Sequence, residues 1–155
     1  MNFGEKVVIF LATGGFIGNI PFAPGTFGSF LGLPLSYLLS KMDAPSAALG
    51  VALFILGAIG ISHGAERILG QKDPGRVVID EIAGVLVALF GLPFNLLTAA
   101  AGFVVFRMFD IWKPFPIGRV DAKFSGGVGV VLDDVVAGIF ANLFLRVIFH
   151  FMHAW

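Results

Sequence analysis

The sequence predicts an all-α protein: an integral membrane helical bundle with broken or re-entrant helices and a Gly/Pro-rich N-terminal loop. Three observations predict it. Of 155 residues, 57% are hydrophobic and 13% charged, with mean hydropathy +0.95, whereas a soluble domain carries about 25% charged residues. Long uncharged runs alternate with short stretches that hold nearly all the charge. Several runs are interrupted by Gly and Pro before any charge is reached, which breaks helices inside an apolar environment. Since about 20 apolar residues cross a bilayer, roughly three to five membrane segments fill one domain over residues 1–155.

Composition also removes function classes. Ten Lys plus Arg cancel ten Asp plus Glu without a basic run, so no counterion-releasing nucleic-acid surface is expected. With no Cys there is no disulfide framework, thiolate metal site or thiol nucleophile. Chemistry falls to carboxylates, His, Ser/Thr or a metal on oxygen ligands.

Taken in order, the N-terminus has a short apolar run but no small-residue cleavage site after it, so it is not read as a removed signal peptide. Residues 13–29 hold five Gly, two Pro and Asn19, which reads as a structured loop before a helix over 26–39. After a break at 41–45, the uncharged stretch 46–62 completes a helical hairpin. Residues 82–106 are uncharged but contain Gly91-Leu92-Pro93: either one kinked span or two half-length helices that enter and return. Positive-inside statistics favour the return, because it puts Lys6 and the loops bearing Arg67, Lys72, Arg76 and Arg107, Lys113, Arg119, Lys123 on one cytoplasmic face. The last segment, 135–152, crosses with Arg146 and His150 reaching the far interface.

The charged residues cluster. Asp80 and Glu81 precede one apolar run in VVIDEIAG, and Asp133 and Asp134 precede another in VVLDDVVAG, a weak internal repeat. On a helix Asp80 lies in line with Gly84 and Ala88, and Asp134 with Gly138 and Asn142. Such small stripes let membrane helices pack closely, which would gather four carboxylates in one place. Carboxylates at that density need a cation, and oxygen-only ligands suit Mg²⁺ or Mn²⁺. Acids at helix N-termini, decorating the macrodipole, are the plainer reading of either pair alone.

In FRMFDIWKPFPIGRVDAKFSGG, Arg107 and Asp110, and again Asp110 and Lys113, lie three apart on a helical face. Arg107, Lys113, Arg119 and Lys123 offer cations to phosphate oxygens, or form an interfacial belt with Trp112. The glycines of the first loop serve either an anion-binding nest, with Thr26 and Ser29 capping the next helix or touching phosphate, or tight turns and close packing. His63, His150 and His153 do not have a metal-ligand spacing.

Four ordered blocks, PFAPGTFGS, DPGRVVIDEIAG, FRMFDIWKPFPI and GGVGVVLDDVVAGIFAN, resemble those of the phosphatidylglycerophosphatase A family over about residues 14–142. The resemblance implies a Mg²⁺-dependent lipid phosphatase of the bacterial inner membrane, acting at the cytoplasmic side on phosphatidylglycerophosphate. Carried over by position are Asp80, Glu81, Asp110, Lys113, Asp133 and Asp134, with Asn19, Thr26 and Ser29 from the first block. The expected roles are Asp80, Glu81, Asp133 and Asp134 on metal, Asp80, Asp110, Lys113 and Asp134 in catalysis, and Arg107, Arg119, Asn19, Thr26 and Ser29 on substrate. Direct attack by water is the expected route, with an aspartyl-phosphate on Asp80 or Asp110 as the variant. The competing class is a small membrane transporter or ion-pathway subunit, which would need its carboxylates near mid-membrane.

Overall fold

In the computed structural model, residues 1–115, 117–119, 124 and 126–152 are described, and the described residues are all-helical. Helix α1 (Phe3–Ala12) starts on a capping box in which Asn2 and Glu5 bond each other's backbone N–H groups at 2.9 Å. A turn through Gly14 and Gly15, both at positive φ, leads to a 3₁₀ turn at Ile17–Asn19 and to α2 (Pro24–Leu39). Helix α3 (Ala44–Leu69) is capped by Asp43, whose carboxylate the Ser46 hydroxyl and backbone N–H hold below its ordinary pKa. Then come α4 (Ile79–Leu89), α5 (Leu96–Trp112), capped by Asn95, and α6 (Gly127–Phe151).

Residues 82–106 are not one kinked helix. Phe90 leaves α4 in extended backbone, Gly91 turns at φ +66°, and Pro93 precedes the cap of α5. Gly84 then packs on Phe106 and Gly102 on Leu89, so α4 and α5 run antiparallel and the chain returns to the end it left. Helices α2 and α6 both run parallel to α4: Gly28 and Gly32 meet Val78 and Val85, while Gly138 meets the Gly84 carbonyl. One end of the bundle therefore carries the first turns of α2, α4 and α6 with the last turns of α1, α3 and α5.

Much of the exterior is apolar. On α3, Leu49, Leu53 and Leu56 are 61%, 59% and 66% exposed, and on α6 Ile139, Leu143 and Val147 form a second exposed stripe. The buried positions hold Val85, Leu86, Phe106, Val131 and Leu145 interleaved with Ala58, Ala83, Ala88, Ala137 and Ala141, and with Ser29, Ser36, Ser62 and Thr13. Large apolar side chains on the outside suit lipid as solvent, and the small residues among the buried ones let helix backbones approach closely. Among the described residues two helices, α3 and α6, are long and apolar enough to cross a membrane. Of the most apolar stretch of α3 only 17% is buried, against 50% for α6, which puts α6 at the centre and α3 at the edge.

Boundaries differ from the sequence reading where charge was taken to end a segment. Helix α6 begins at Gly127 rather than near 135, so Asp133 and Asp134 lie inside it; α3 continues past His63 to Leu69. Isolated charges facing a partner helix do not break a helix whose backbone bonds are already satisfied.

Candidate active site

The acidic pairs meet because two helices with small faces run side by side in register. Asp80 heads the α4 face that continues through Gly84 and Ala88; Asp134 heads the α6 face of Gly138 and Asn142. A Cβ on Gly84 would stand 3.0 Å from the Asp134 carbonyl and one on Gly138 would strike the Gly84 carbonyl, so only glycine allows this approach. Both Asp80 and Asp134 are buried, and Asp134 lies seven residues, about 10 Å, below the first residue of α6. The N-terminal dipole of α4 favours the carboxylates of its first turn, Asp80 and Glu81.

Two neighbouring helices close the site. From α2, Gly25 lies directly against the Glu81 carboxylate, with Arg107 Nη1 3.2 Å from where its Cβ would be. From α5, Arg107 Nη1 donates to Asp110 Oδ2 and stands 3.9 Å from Glu81 Oε1. Lys113 ends α5 in the left-handed conformation at φ +41°, and this carries Nζ back to donate to Asp133 Oδ2 at 2.5 Å. Asp133 Oδ1 also accepts the Asp134 backbone N–H at 3.0 Å. Together they bound a polar cleft of about 160 Å³, lined by Asp73 from the α3–α4 loop, Asp80, Glu81, Asp110, Lys113, Asp133 and Asp134.

Within it, Asp80, Glu81 and Asp134 offer oxygens that all lie within 4.8 Å of one another. Asp80 Oδ1 and Glu81 Oε2 are buried with no hydrogen-bond partner, and so is Arg107 Nε. Acceptors stripped of water and given no donor are costly, and a trio of carboxylate oxygens is the donor set of a hard divalent cation. The cluster can hold such an ion, and the cost of gathering the carboxylates would then be offset.

The remaining expected residues fall in different places. Asp133 stands beside the trio, paired to Lys113. Asn19 is exposed on its 3₁₀ turn, Thr26 is half-buried in the first turn of α2, and neither lines the cleft. Ser29 does not cap α2: it is wholly buried one turn inside, its Oγ donating to the Gly25 carbonyl at 2.8 Å, and α2 opens instead on Ala23 in left-handed geometry. Gly18, Gly25 and Gly28 give close packing against Arg76, Glu81 and Val78. Arg119 is exposed, its guanidinium 4.8 Å above the Phe115 ring. His63 is exposed on α3 beside Gly126, His150 lies at the opposite end on α6, and Lys123 and His153 fall outside the described residues. Asp73 escaped the sequence reading. It lines the cleft at φ +45°, its N–H held by Glu66 Oε1 at 2.8 Å, and its one signal was a turn-forming Asp-Pro-Gly.

Comparison with known proteins bears on this site. A family model described as Phosphatidylglycerophosphatase A matches residues 10–149. The chain is 38% identical over 141 residues to the phosphatidylglycerophosphatase A of Escherichia coli (strain K12), covering 90% of this chain and 82% of that one. It is 37% identical over 144 residues to the Haemophilus influenzae protein of the same name, covering 92% and 88%. A Bacteroides thetaiotaomicron protein, provisionally named a phosphatidylinositol-3-phosphatase, is 38% identical over 148 residues, covering 90% and 91%. No solved structure matches the chain.

Proposed function

The chain belongs to the phosphatidylglycerophosphatase A family, and from that premise we propose that it is a Mg²⁺-dependent phosphoric monoester hydrolase that converts phosphatidylglycerophosphate to phosphatidylglycerol and phosphate. The observation that carries the chemistry is the buried trio Asp80, Glu81 and Asp134, flanked by two cationic side chains in a cleft of phosphate dimensions.

Asp80, Glu81 and Asp134 would hold the ion, with Asp133 at its margin. Bound there, the ion supplies Lewis acidity toward a phosphoryl oxygen and favours deprotonation of the attacking water. The chain's own groups do the rest. Arg107 keeps donors beyond the one given to Asp110, and these, with Lys113, offset charge on the nonbridging oxygens as the bond to glycerol lengthens. Asp110, in the cleft but outside the trio and paired to Arg107, is the carboxylate placed to take a proton from the attacking water and hand it to the leaving alkoxide. Water oxygen joins phosphorus, the phosphorus–glycerol oxygen bond breaks, and the water's proton leaves with phosphate or the alcohol. Direct attack is one displacement and inverts configuration at an isotopically chiral phosphorothioate headgroup hydrolysed in labelled water; retention would mark two displacements and a covalent intermediate on Asp80 or Asp110.

We place the protein as a multi-pass chain in a bacterial inner membrane with the cleft facing the cytoplasm. Supporting this, Arg67, Lys72, Arg76, Arg107, Lys113 and Arg119 lie toward the cleft end of the described bundle, against Lys41 and Arg146 at the other; Lys6, expected on the cleft face, is instead in the first turn of α1, away from that end. Carboxylates gathered at one end, with no second set at the other among the described residues, do not favour a two-sided ion path.

The test is phosphate release by the purified chain from phosphatidylglycerophosphate, phosphatidylinositol 3-phosphate, phosphatidic acid and a soluble phosphomonoester, with Mg²⁺ or excess EDTA. Release should be fastest from phosphatidylglycerophosphate and lost in EDTA. Preference for the inositol lipid would move the substrate toward that of the Bacteroides relative's name, and full rate in chelator would end the metal assignment. Asp80→Asn and Asp134→Asn should each cost about 100-fold or more with the fold retained, since even outer partners of metal ligands are worth 10–100-fold.

A further inference from the structure

Helix α4 stops at Leu89, and a helix end leaves its last four carbonyls without intrahelical donors. Helix α6 continues nine residues beyond Asn142, about 14 Å, so α4 ends at a depth where α6 still presents Leu143 and Val147 outward. With the chain placed across the bilayer as proposed above, water is scarce at that depth, and the freed carbonyls need protein donors. Phe90 N–H takes the Val87 carbonyl and Leu92 N–H the Leu89 carbonyl, each at 3.2 Å. One side chain of α6 takes the Ala88 carbonyl and the carbonyl just past the helix: Asn142 Nδ2 donates to Ala88 O and Phe90 O at 2.9 Å and approaches Val87 O at 3.3 Å. Arg146 braces it, Nε donating to Asn142 Oδ1 at 2.7 Å and Nη2 to Phe90 O at 3.0 Å.

This bond shares its register with the site. Asn142 and Ala88 are 54 residues apart in sequence, the offset that also relates Gly138 to Gly84 and Asp134 to Asp80. Two parallel helices keep one offset along their length only while neither slides or rolls. A one-residue slip moves α4 by about 1.5 Å and turns it by about 100°, enough to take Asp80 off the α6 face. Glycine contacts permit close approach but give no directional hold, whereas an amide spread over carbonyls near the helix end opposes both sliding and rolling.

We propose that Asn142, braced by Arg146, is a positioning residue: it touches neither substrate nor ion, and it sets the register of α4 on α6 that brings Asp80, Glu81 and Asp134 to ion-holding geometry. The proposal rests on the ion assignment of that trio. Its test is Mn²⁺ binding to the purified full chain in detergent, followed by electron paramagnetic resonance, with the folded fraction measured in parallel. Asn142→Leu should weaken Mn²⁺ binding by roughly 2–30-fold per folded molecule. It should raise the Mg²⁺ needed for half-maximal turnover in proportion, while kcat at saturating Mg²⁺ falls less; Asn142→Gln should recover part of the binding. Folded Asn142→Leu that binds Mn²⁺ as the parent does would overturn the proposal and leave the ion assignment standing. Should that variant fail to fold, Arg146→Met carries the same test, with weaker binding expected and unchanged binding overturning it. A parent chain that takes up no Mn²⁺ would remove the ion assignment itself, and the proposal with it.

Discussion

Lys113 combines two features that conflict unless its position is used. A lysine at φ +41° sits where glycine is the comfortable residue, a cost of about 1–2 kcal/mol for an L-residue. In return its ammonium reaches the buried Asp133 at 2.5 Å from a helix end that would otherwise point it outward. Lys113→Gln leaves Asp133 buried beside other carboxylates without that partner. The pair is partly solvated on the lysine side, 34% against 6%, so the expected loss is about 1–3 kcal/mol, less than for a fully buried pair. Adding Asp133→Asn should restore most of that stability and none of the activity, read by thermal unfolding beside phosphate release. Parallel recovery of both would make the pair structural only. None of this partnership was legible in sequence, where Asp133 looked equivalent to Asp134; which of the two turns toward α5 depends on the rotational phase of α6 against a residue twenty positions away.

At the scale of helices, the close approach of α4 and α6 was the readable part. The stripes Asp80, Gly84, Ala88 and Asp134, Gly138, Asn142 follow from helical periodicity alone and needed no knowledge of the loops. Their mutual packing could be expected, because small faces in a membrane have few other uses. The start of α6, the turn that holds Asp73, and the clamp from Asn142 to the end of α4 could not be read, since each depends on which backbone groups a distant segment leaves unsatisfied. Gly138→Ala tests the packing. Its Cβ would strike the Gly84 carbonyl and lie 3.3 Å from the Ala88 nitrogen, backbone atoms that cannot rotate away. Overpacking of this kind costs about 1–3 kcal/mol, and the helices must part, so melting temperature and ion retention should fall together. Gly57→Ala, with nothing within 4 Å, is the control: ion retention should be unchanged and the melting temperature should hold or rise, since alanine is the better residue inside a helix.

For the whole molecule, the paths of α4 and α5 make a topological prediction that the absence of cysteine makes easy to check. Since the two helices are antiparallel, the α3–α4 loop and the segment after α5 emerge at the same end, whereas a single crossing by residues 82–106 would separate them. Single cysteines at Lys72 and Phe115 should thus share one labelling pattern with a membrane-impermeant maleimide, and cysteines at Lys41 and Met152 the opposite one. All four residues are exposed or half-exposed at helix termini or in loops, so the substitutions should leave the packing alone. With the cleft facing the cytoplasm, intact spheroplasts should label Lys41→Cys and Met152→Cys, and inverted vesicles Lys72→Cys and Phe115→Cys. Labelling of Lys72→Cys and Phe115→Cys from opposite sides would break the hairpin. If they label together but from outside, the hairpin stands and the cleft faces away from the cytoplasm, where the charge bias of its rim would be working against the positive-inside rule.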